Sequence, residues 1–263
     1  MLLIKKIATQ ILVSTGNTKI RRGILSGRLL PHSIASTNLA MVLGRYEPDI
    51  QQLLANQAQG CKVAYDVGSH VGFFTLLLAD AMGQDGTVVA FEPSEGEASR
   101  VEELIDCNNL ASRVSVERMA VCDEVAELTF FTGHASFTGI LDKVSKASNR
   151  ENQTSVTVQG MTLDEFVFGR NNPAPDLMKI DVEAAEASVI RGAKRLLDEK
   201  RPRMLIEVHG PNPCRDTITE ILTHDYRIDY LSPNGHVAVT DPDQLRVQFW
   251  KGKWTNHLLA VPC

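Results

Sequence analysis

The chain has 263 residues, of which 43% are hydrophobic, 22% charged and 6% aromatic. That balance belongs to a globular protein with a sizeable core, and it excludes a chain disordered throughout or a small stapled scaffold. Twenty-seven Lys and Arg against 32 Asp and Glu give a formal charge of -5, so no basic excess would draw the protein onto nucleic acid.

Before residue 62 the pattern is weakly helical. Residues 1–60 are expected to form short helices packed on a main domain of residues 61–263, with Lys5, Lys6, Arg21 and Arg22 on a solvated face. Thr9 and Gln10 interrupt the apolar stretch Ile7 to Val13, and no run approaches the ~20 apolar residues of a membrane helix. Neither a cleaved leader nor an integral membrane span is expected. Cys61, Cys107, Cys122, Cys214 and Cys263 are odd in number and form no CxxC pair, which fits a reducing cytoplasmic compartment.

From residue 62 strand and helix alternate. Strands are expected at Val63–Val67, Thr87–Glu92 and Val114–Met119, with helices at Phe73–Met82 and Glu95–Asn108. Two added strands, Glu127–Thr132 and Ser155–Gln159, flank a long polar segment read as a substrate lid carrying His134, Phe137 and Thr138. The alternation resumes with a strand at Asp176–Val182, a helix at Ala184–Leu197 and a strand at Met204–His209. A helix at Asp216–His224, a strand near Tyr226–Leu231, a turn at Pro233-Asn234-Gly235 and a strand at His257–Val261 close the chain. This is the pattern of βαβ units on a parallel sheet with helices on both faces.

The segment Asp66-Val67-Gly68-Ser69-His70-Val71-Gly72 stands where the first strand hands over to the first helix. Glycines there permit backbone conformations and close approaches that a Cβ would block. The spacing is GxxxG rather than GxGxxG, and Asp66 would repel a pyrophosphate, which disfavours a dinucleotide oxidoreductase. S-adenosylmethionine offers an ammonium, a sulfonium and one carboxylate, so an acid beside free helix N–H groups suits both its ends. Glu92 ends the second strand 26 positions after Asp66, where a carboxylate can accept both ribose hydroxyls.

These motifs carry a family resemblance. DVGSHVGFFT (Asp66–Thr75), VAFEP (Val89–Pro93), AVCD (Ala120–Asp123), TLDEF (Thr162–Phe166), MKIDVEAAE (Met178–Glu186) and LIEVH (Leu205–His209) resemble, in order, those of the FkbM-type methyltransferases. The resemblance implies a seven-stranded Rossmann-like sheet, S-adenosyl-L-methionine as methyl donor, and O-methylation of a small-molecule, sugar or polyketide-type hydroxyl. It implies cofactor contacts at Asp66, Gly68, Gly72, Thr75 and Glu92, more loosely at His70 and Ser94, and adenine packing at Ala120. Ala184 stands where the family pattern has glycine. It is expected to leave the fold intact, since alanine favours helix.

For the chemistry, Asp181, Glu183 and His209 fall at the carboxyl ends of strands, where ligands of open α/β sheets bind. His209 is expected to take the acceptor proton, Asp181 to orient that histidine, hold the acceptor hydroxyl or contact the cofactor's ammonium, and Glu183 to hold the acceptor. Lys179 and Glu207, inward on neighbouring strands, are expected to pair with each other or with Asp181. No tight metal spacing is present, so no obligatory metal is expected. An N-methyltransferase and a cofactor-binding homologue without activity are the alternatives.

Overall fold

The computed structural model describes residues 13, 15–132, 139–141, 154–232, 235–245 and 255–263. Lys5, Lys6, His134, Phe137, Thr138, Pro233 and Asn234 lie outside the described residues.

Two short antiparallel strands, β1 (Thr18–Lys19) and β2 (Leu29–Leu30), precede helices α1 (His32–Ala35), α2 (Leu39–Val42) and α3 (Pro48–Ala58). Asn38 caps α2 by accepting from the N–H groups of Ala40 and Met41. Pro48 opens α3, where a missing N–H costs nothing, and Leu54, Ala55 and Ala58 bury its inner stripe.

The alternation then begins: β3 (Val63–Val67), α4 (Phe73–Ala81), β4 (Thr87–Phe91), α5 (Glu95–Cys107) and β5 (Val114–Glu117). Four strands break the rhythm: β6 (Ala120–Val121), β7 (Glu127–Thr132), β8 (Gly139–Leu141) and β9 (Thr154–Met161). They pair in the order β6-β9-β7-β8 as a separate sheet. A π-helical turn at Glu165–Gly169 leads into β10 (Leu177–Ile180), α6 (Glu186–Arg191), α7 (Lys194–Glu199) and β11 (Arg203–His209). The chain closes with α8 (Pro211–Ile221), β12 (Tyr226–Ser232), β13 (Gly235–Val239) and β14 (Thr255–Pro262).

The main sheet has eight strands in the order β13-β12-β14-β11-β10-β3-β4-β5, not the expected seven. The addition is β13, a five-residue edge strand that folds back on β12 from Ser232 opposite Gly235 to Ile228 opposite Val239. Most of it is exposed, so it shows little hydrophobic alternation. The run from β11 to β5 is parallel, and β14, β12 and β13 are antiparallel additions. The strand order reverses between β3 and β10, so the crevice at their carboxyl ends is a topological switch point.

Strand periodicity divides the core into two layers. Tyr65, Val67, Met178, Ile180, Met204, Ile206 and Val208 belong to one, and Ala64, Leu177 and Leu205 to the other. The first layer holds an aromatic trio: Tyr65, Phe91 and Phe166 meet edge to face with ring centroids 5.0–5.8 Å apart. On the opposite face, period two places Asp66, Lys179, Glu207 and His209 together at the strand ends.

Two helices differ from expectation for tertiary reasons. The continuous helix from Ala184 to Leu197 is instead α6 and α7, broken at Gly192 and Ala193. A Cβ on Gly192 would lie 2.0 Å from the Cys122 carbonyl oxygen. Asp164, from the TLDEF string, then caps α7 from a distance, its carboxylate accepting from the N–H groups of Arg195 and Leu196 at 2.9 and 2.8 Å. The helix expected at Asp216–His224 runs from Pro211 to Ile221, because Pro211 and Pro213 fall in a first turn that needs no intrahelical donors. No described helix is long and apolar enough to cross a membrane.

Candidate active site

The turn after β3 is shaped by contact with the loop after β10. The N–H groups of Gly68 and Ser69 both donate to the Phe91 carbonyl at 3.0 Å, and the Asp181 N–H donates to the Val67 carbonyl at 2.9 Å. Gly68 has φ of +81° and a Cβ there would meet the Asp181 carbonyl oxygen at 1.9 Å. Gly72 caps α4 at φ of +80°, where a Cβ would press on Val101 at 3.0 Å and Leu104 at 3.1 Å. These two glycines let β3 approach β10 and let α4 approach α5.

Asp66 is fully buried, and its Oδ2 accepts the Thr75 hydroxyl at 2.6 Å. Its Oδ1 makes no hydrogen bond and lies 4.0 Å from Lys179 Nζ. Burial pushes the Asp66 carboxyl pKa up, against the pull of Lys179 and Thr75. Glu92, 6% exposed, is held at both oxygens, accepting the His70 N–H at Oε2 and the Ser94 N–H at Oε1, each at 2.8 Å. Burial raises its pKa to about 7 despite those two donors. His70, at φ of +51°, brings its ring within 3.8 Å of Glu97. Ala120 is buried where β6 pairs with β9 opposite Gly160.

At the switch point, Lys179 donates to Asp181 Oδ2 at 3.0 Å and lies 4.8 Å above the centre of the Phe74 ring. Burial alone would lower its pKa, but Asp181 and Asp66 outweigh that and hold the ammonium above its ordinary range. Lys179 thus takes the Asp181 partner, while Glu207 Oε2 lies 3.4 Å from His257 Nε2 on the adjacent β14. The His257 hydrogen bond and charge overcome burial and bring the Glu207 pKa down to about 2.

His209 ends β11 with its ring 5% exposed. Its Nδ1 hydrogen-bonds the buried Glu186 carboxylate at 2.7 Å, and Glu186 also accepts the Ala184 N–H at 3.0 Å. That contact orients the imidazole so that Nε2 faces Glu183, Asp181 and Glu207 oxygens at 3.5, 3.7 and 3.9 Å. Burial would lower the His209 pKa, but Glu186, Glu183 and Asp181 together raise it to about 9. The Glu183 pKa is raised as well, by burial, to about 7, with His209 opposing, which for a carboxyl favours the neutral form. The three expected chemical residues are therefore brought together. Among the described residues, two trios, Asp181-Glu183-His209 and Glu47-Glu207-His257, have ligand-type atoms within 4.8 Å of one another.

Glu183 and Ala184 both adopt left-handed backbone, at φ of +51° and +74°. Ala184 thus precedes the helix instead of opening it, in a conformation where glycine is unstrained and alanine is not. Ala184→Gly is expected to raise stability by ~0.5–1 kcal/mol, the relief exceeding the added chain entropy. A lower denaturant midpoint would count against this account.

Four site residues carry no motif of their own in the sequence: Glu186, Tyr46, Glu47 and His257. Glu186 lies inside the MKIDVEAAE string, three positions after Glu183, and its spacing could have marked it. Tyr46 and Glu47 come from the loop before α3 and no local pattern distinguishes them. His257 reaches Glu207 only through antiparallel pairing of β14 with β11.

A five-stranded parallel run with antiparallel strands added at one edge, and carboxylates gathered at its switch point, is a Rossmann-like α/β arrangement. Residues 66–231 match the family model described as the methyltransferase FkbM domain, and the chain belongs to that family. It is 26% identical over 179 residues to hexuronic acid methyltransferase AglP of Haloferax volcanii, a match covering 68% of this chain and 69% of that protein. It is also 26% identical over 179 residues to the AMB antimetabolite synthetase AmbE of Pseudomonas aeruginosa, covering 56% of this chain and 8% of that one. Among solved structures, methyltransferase FkbM from Methylobacillus flagellatus KT aligns over 98% of this chain and 59% of its own, at TM-score 0.48 and 14% identity. An O-methyltransferase from Bacillus cereus, solved in complex with SAH, aligns over 83% of this chain and 82% of its own, at TM-score 0.48 and 17% identity.

Proposed function

We propose that this methyltransferase uses S-adenosylmethionine to methylate a hydroxyl of a sugar-class acceptor. The observation that carries the reading is the convergence of His209, Asp181 and Glu183 at the switch point, the edge of the sheet that also bears Glu92 and the Gly68 turn. S-adenosylmethionine supplies, when bound, an electrophilic methyl group on a sulfonium. The residues fit it. Each Glu92 oxygen is oriented by one backbone N–H and keeps a lone pair for a ribose hydroxyl, and the carboxylates around His209 suit a cationic group.

In this reading Glu92 binds the ribose, and Gly68, His70, Gly72 and Ser94 form the backbone around it. Thr75 acts through Asp66, to which its hydroxyl proton is committed, and Ala120 packs by the adenine. Asp181 and Glu183 hold the acceptor hydroxyl while His209 Nε2 takes its proton, with Glu186 stabilising the imidazolium that results. No metal is assigned a role. The sugar class rests on the resemblance to AglP, whose name gives it a hexuronic acid substrate.

Transfer of labelled methyl from S-adenosylmethionine to a hydroxylated glycoside, undiminished by EDTA, is the expected result. Glu92→Gln should weaken S-adenosylhomocysteine binding about 10- to 100-fold, as loss of charge-assisted hydrogen bonds does. Wild-type affinity should strengthen as pH rises through about 7, where Glu92 ionises. Calorimetry showing no binding, or equal binding by the variant, would overturn the cofactor assignment.

A further inference from the structure

Glu47 serves α3 through its backbone, its carbonyl accepting the Gln51 N–H at 3.0 Å, but not through its side chain. It precedes α3 as the N-cap residue, yet its side chain caps no helix N–H, and its backbone is left-handed at φ of +42°. Its carboxylate turns instead toward β11 and β14, where it joins Glu207 and His257. Burial raises the Glu47 pKa and the like charge of Glu207 raises it further, while the Tyr46 hydroxyl, Lys179 and His257 offset part of that cost. One oxygen, Oε2, is buried without any hydrogen-bond partner. A buried acceptor left empty beside a like charge is destabilising unless something donates to it.

The neighbouring geometry says where such a donor would lie. Tyr46 packs edge to face on Phe73 with centroids 5.3 Å apart and against Phe74 at 6.0 Å. Its hydroxyl lies beside the Glu47 carboxylate. Phe74 in turn supports Lys179, so the loop before α3 is anchored beside the chemical cluster. Glu207 joins the two trios: Oε2 faces His257, and Oε1 lies 3.9 Å from His209 Nε2. Glu47 is therefore about one carboxylate group removed from the histidine to which the acceptor proton is assigned.

We propose that Glu47, positioned by Tyr46, is an acceptor-recognition residue whose Oε2 receives a second hydroxyl of the acceptor while a first hydroxyl is presented to His209. The acceptor is on this account a polyol of pyranose size, held at two hydroxyls, and an alcohol with one hydroxyl is held at only one. This rests on the function proposed above and names the substrate class of the same site.

The test uses the full chain, a panel of methyl hexopyranosides, and cyclohexanol as the one-hydroxyl probe, with titrations into protein loaded with S-adenosylhomocysteine and labelled-methyl kinetics on whichever glycoside binds. At least one glycoside should bind or react at least tenfold better than cyclohexanol. Glu47→Gln should raise the acceptor KM about tenfold, with kcat within about threefold and S-adenosylhomocysteine affinity unchanged, since one charged hydrogen bond is lost. Tyr46→Phe should give a smaller KM effect in the same direction.

Equal acceptor KM in wild type and Glu47→Gln overturns the proposal. So does a panel in which S-adenosylhomocysteine binds but no glycoside is preferred to cyclohexanol. Failure of S-adenosylhomocysteine itself to bind strikes the function proposed above instead. A Glu47→Gln protein with a shifted melting temperature but an unchanged KM assigns the residue to the fold alone and also overturns it.

Discussion

Replacement of His209 by alanine is expected to lower kcat by about two to four orders of magnitude, the usual worth of a positioned general base. The geometry concentrates on one atom. Glu186 holds Nδ1 at 2.7 Å, and Nε2 is left facing Glu183, Asp181 and Glu207. In the free protein these carboxylates raise the imidazole pKa to about 9, so below that pH the ring holds a proton and a base must first lose it. Wild-type kcat/KM should accordingly climb as pH rises through about 9, and the variant should lack that rise.

The alanine variant also leaves the fully buried Glu186 without its partner, which is destabilising in its own right. His209→Gln retains a donor toward Glu186 and separates lost chemistry from lost folding. A folded variant that keeps near wild-type rates at high pH would argue for an amine acceptor, which needs no base of this kind.

The same ionisation predicts a stability trend. A histidine whose folded pKa lies above its unfolded value stabilises the fold fully below about 6.5 and loses that contribution as pH rises through about 9. Glu207, brought down to about 2, behaves in the opposite sense. Its contribution is present above about 4.5 and is lost as pH falls toward 2. Thermal melts across both windows should show the wild type declining at each end, with the alkaline decline reduced in His209→Gln.

Gly68→Ala is expected to be the most damaging single-methyl change, costing ~4 kcal/mol or more of stability. The added Cβ would sit 1.9 Å from the Asp181 carbonyl oxygen, a backbone atom that no side-chain rotation can move, on a residue at φ of +81°. Relief requires β3 and β10 to part at their carboxyl ends, which is where Asp66, Lys179 and Asp181 meet. Gly72→Ala should cost less, because its Cβ presses on side-chain atoms of Val101 and Leu104 at 3.0 and 3.1 Å and adds chiefly the left-handed backbone cost of ~1–2 kcal/mol. Denaturant midpoints in the order wild type, Gly72→Ala, Gly68→Ala check this. An unaltered midpoint for Gly68→Ala would show that the two strands are not as close as described.

Much of the sheet was legible because its strands are short apolar runs stopped by turn residues. Val63–Val67 and Glu127–Thr132 have the expected bounds, and most other strands and helices differ by one or two residues at an end. The misses have local causes. Gly192 reads as a tolerable helix interruption until the Cys122 carbonyl is seen against it. Pro211 reads as loop until a helix begins there. Ala184 reads as helix because its propensity is helical, and its φ of +74° is imposed by the loop that turns Glu183 toward His209.

By itself the chain's pattern of residues determined the parallel α/β sheet, the family motifs, and the placement of Asp66, Glu92, Asp181 and His209 at strand ends. Periodicity and turn chemistry are local properties, and strand ends follow from them. Tertiary structure decided which expected partner Lys179 takes, Asp181 rather than Glu207, and it alone brought Glu207 to His257, Glu186 to His209, and Tyr46 and Glu47 to the same crevice. Those contacts join residues of different strands, helices and loops, and for buried charges the partner available in space sets protonation and energy. The net acidity of -5 thereby acquires a partial location: Asp66 and Asp181 gather at Lys179, Asp181, Glu183, Glu186 and Glu207 at His209, and Glu207 at His257.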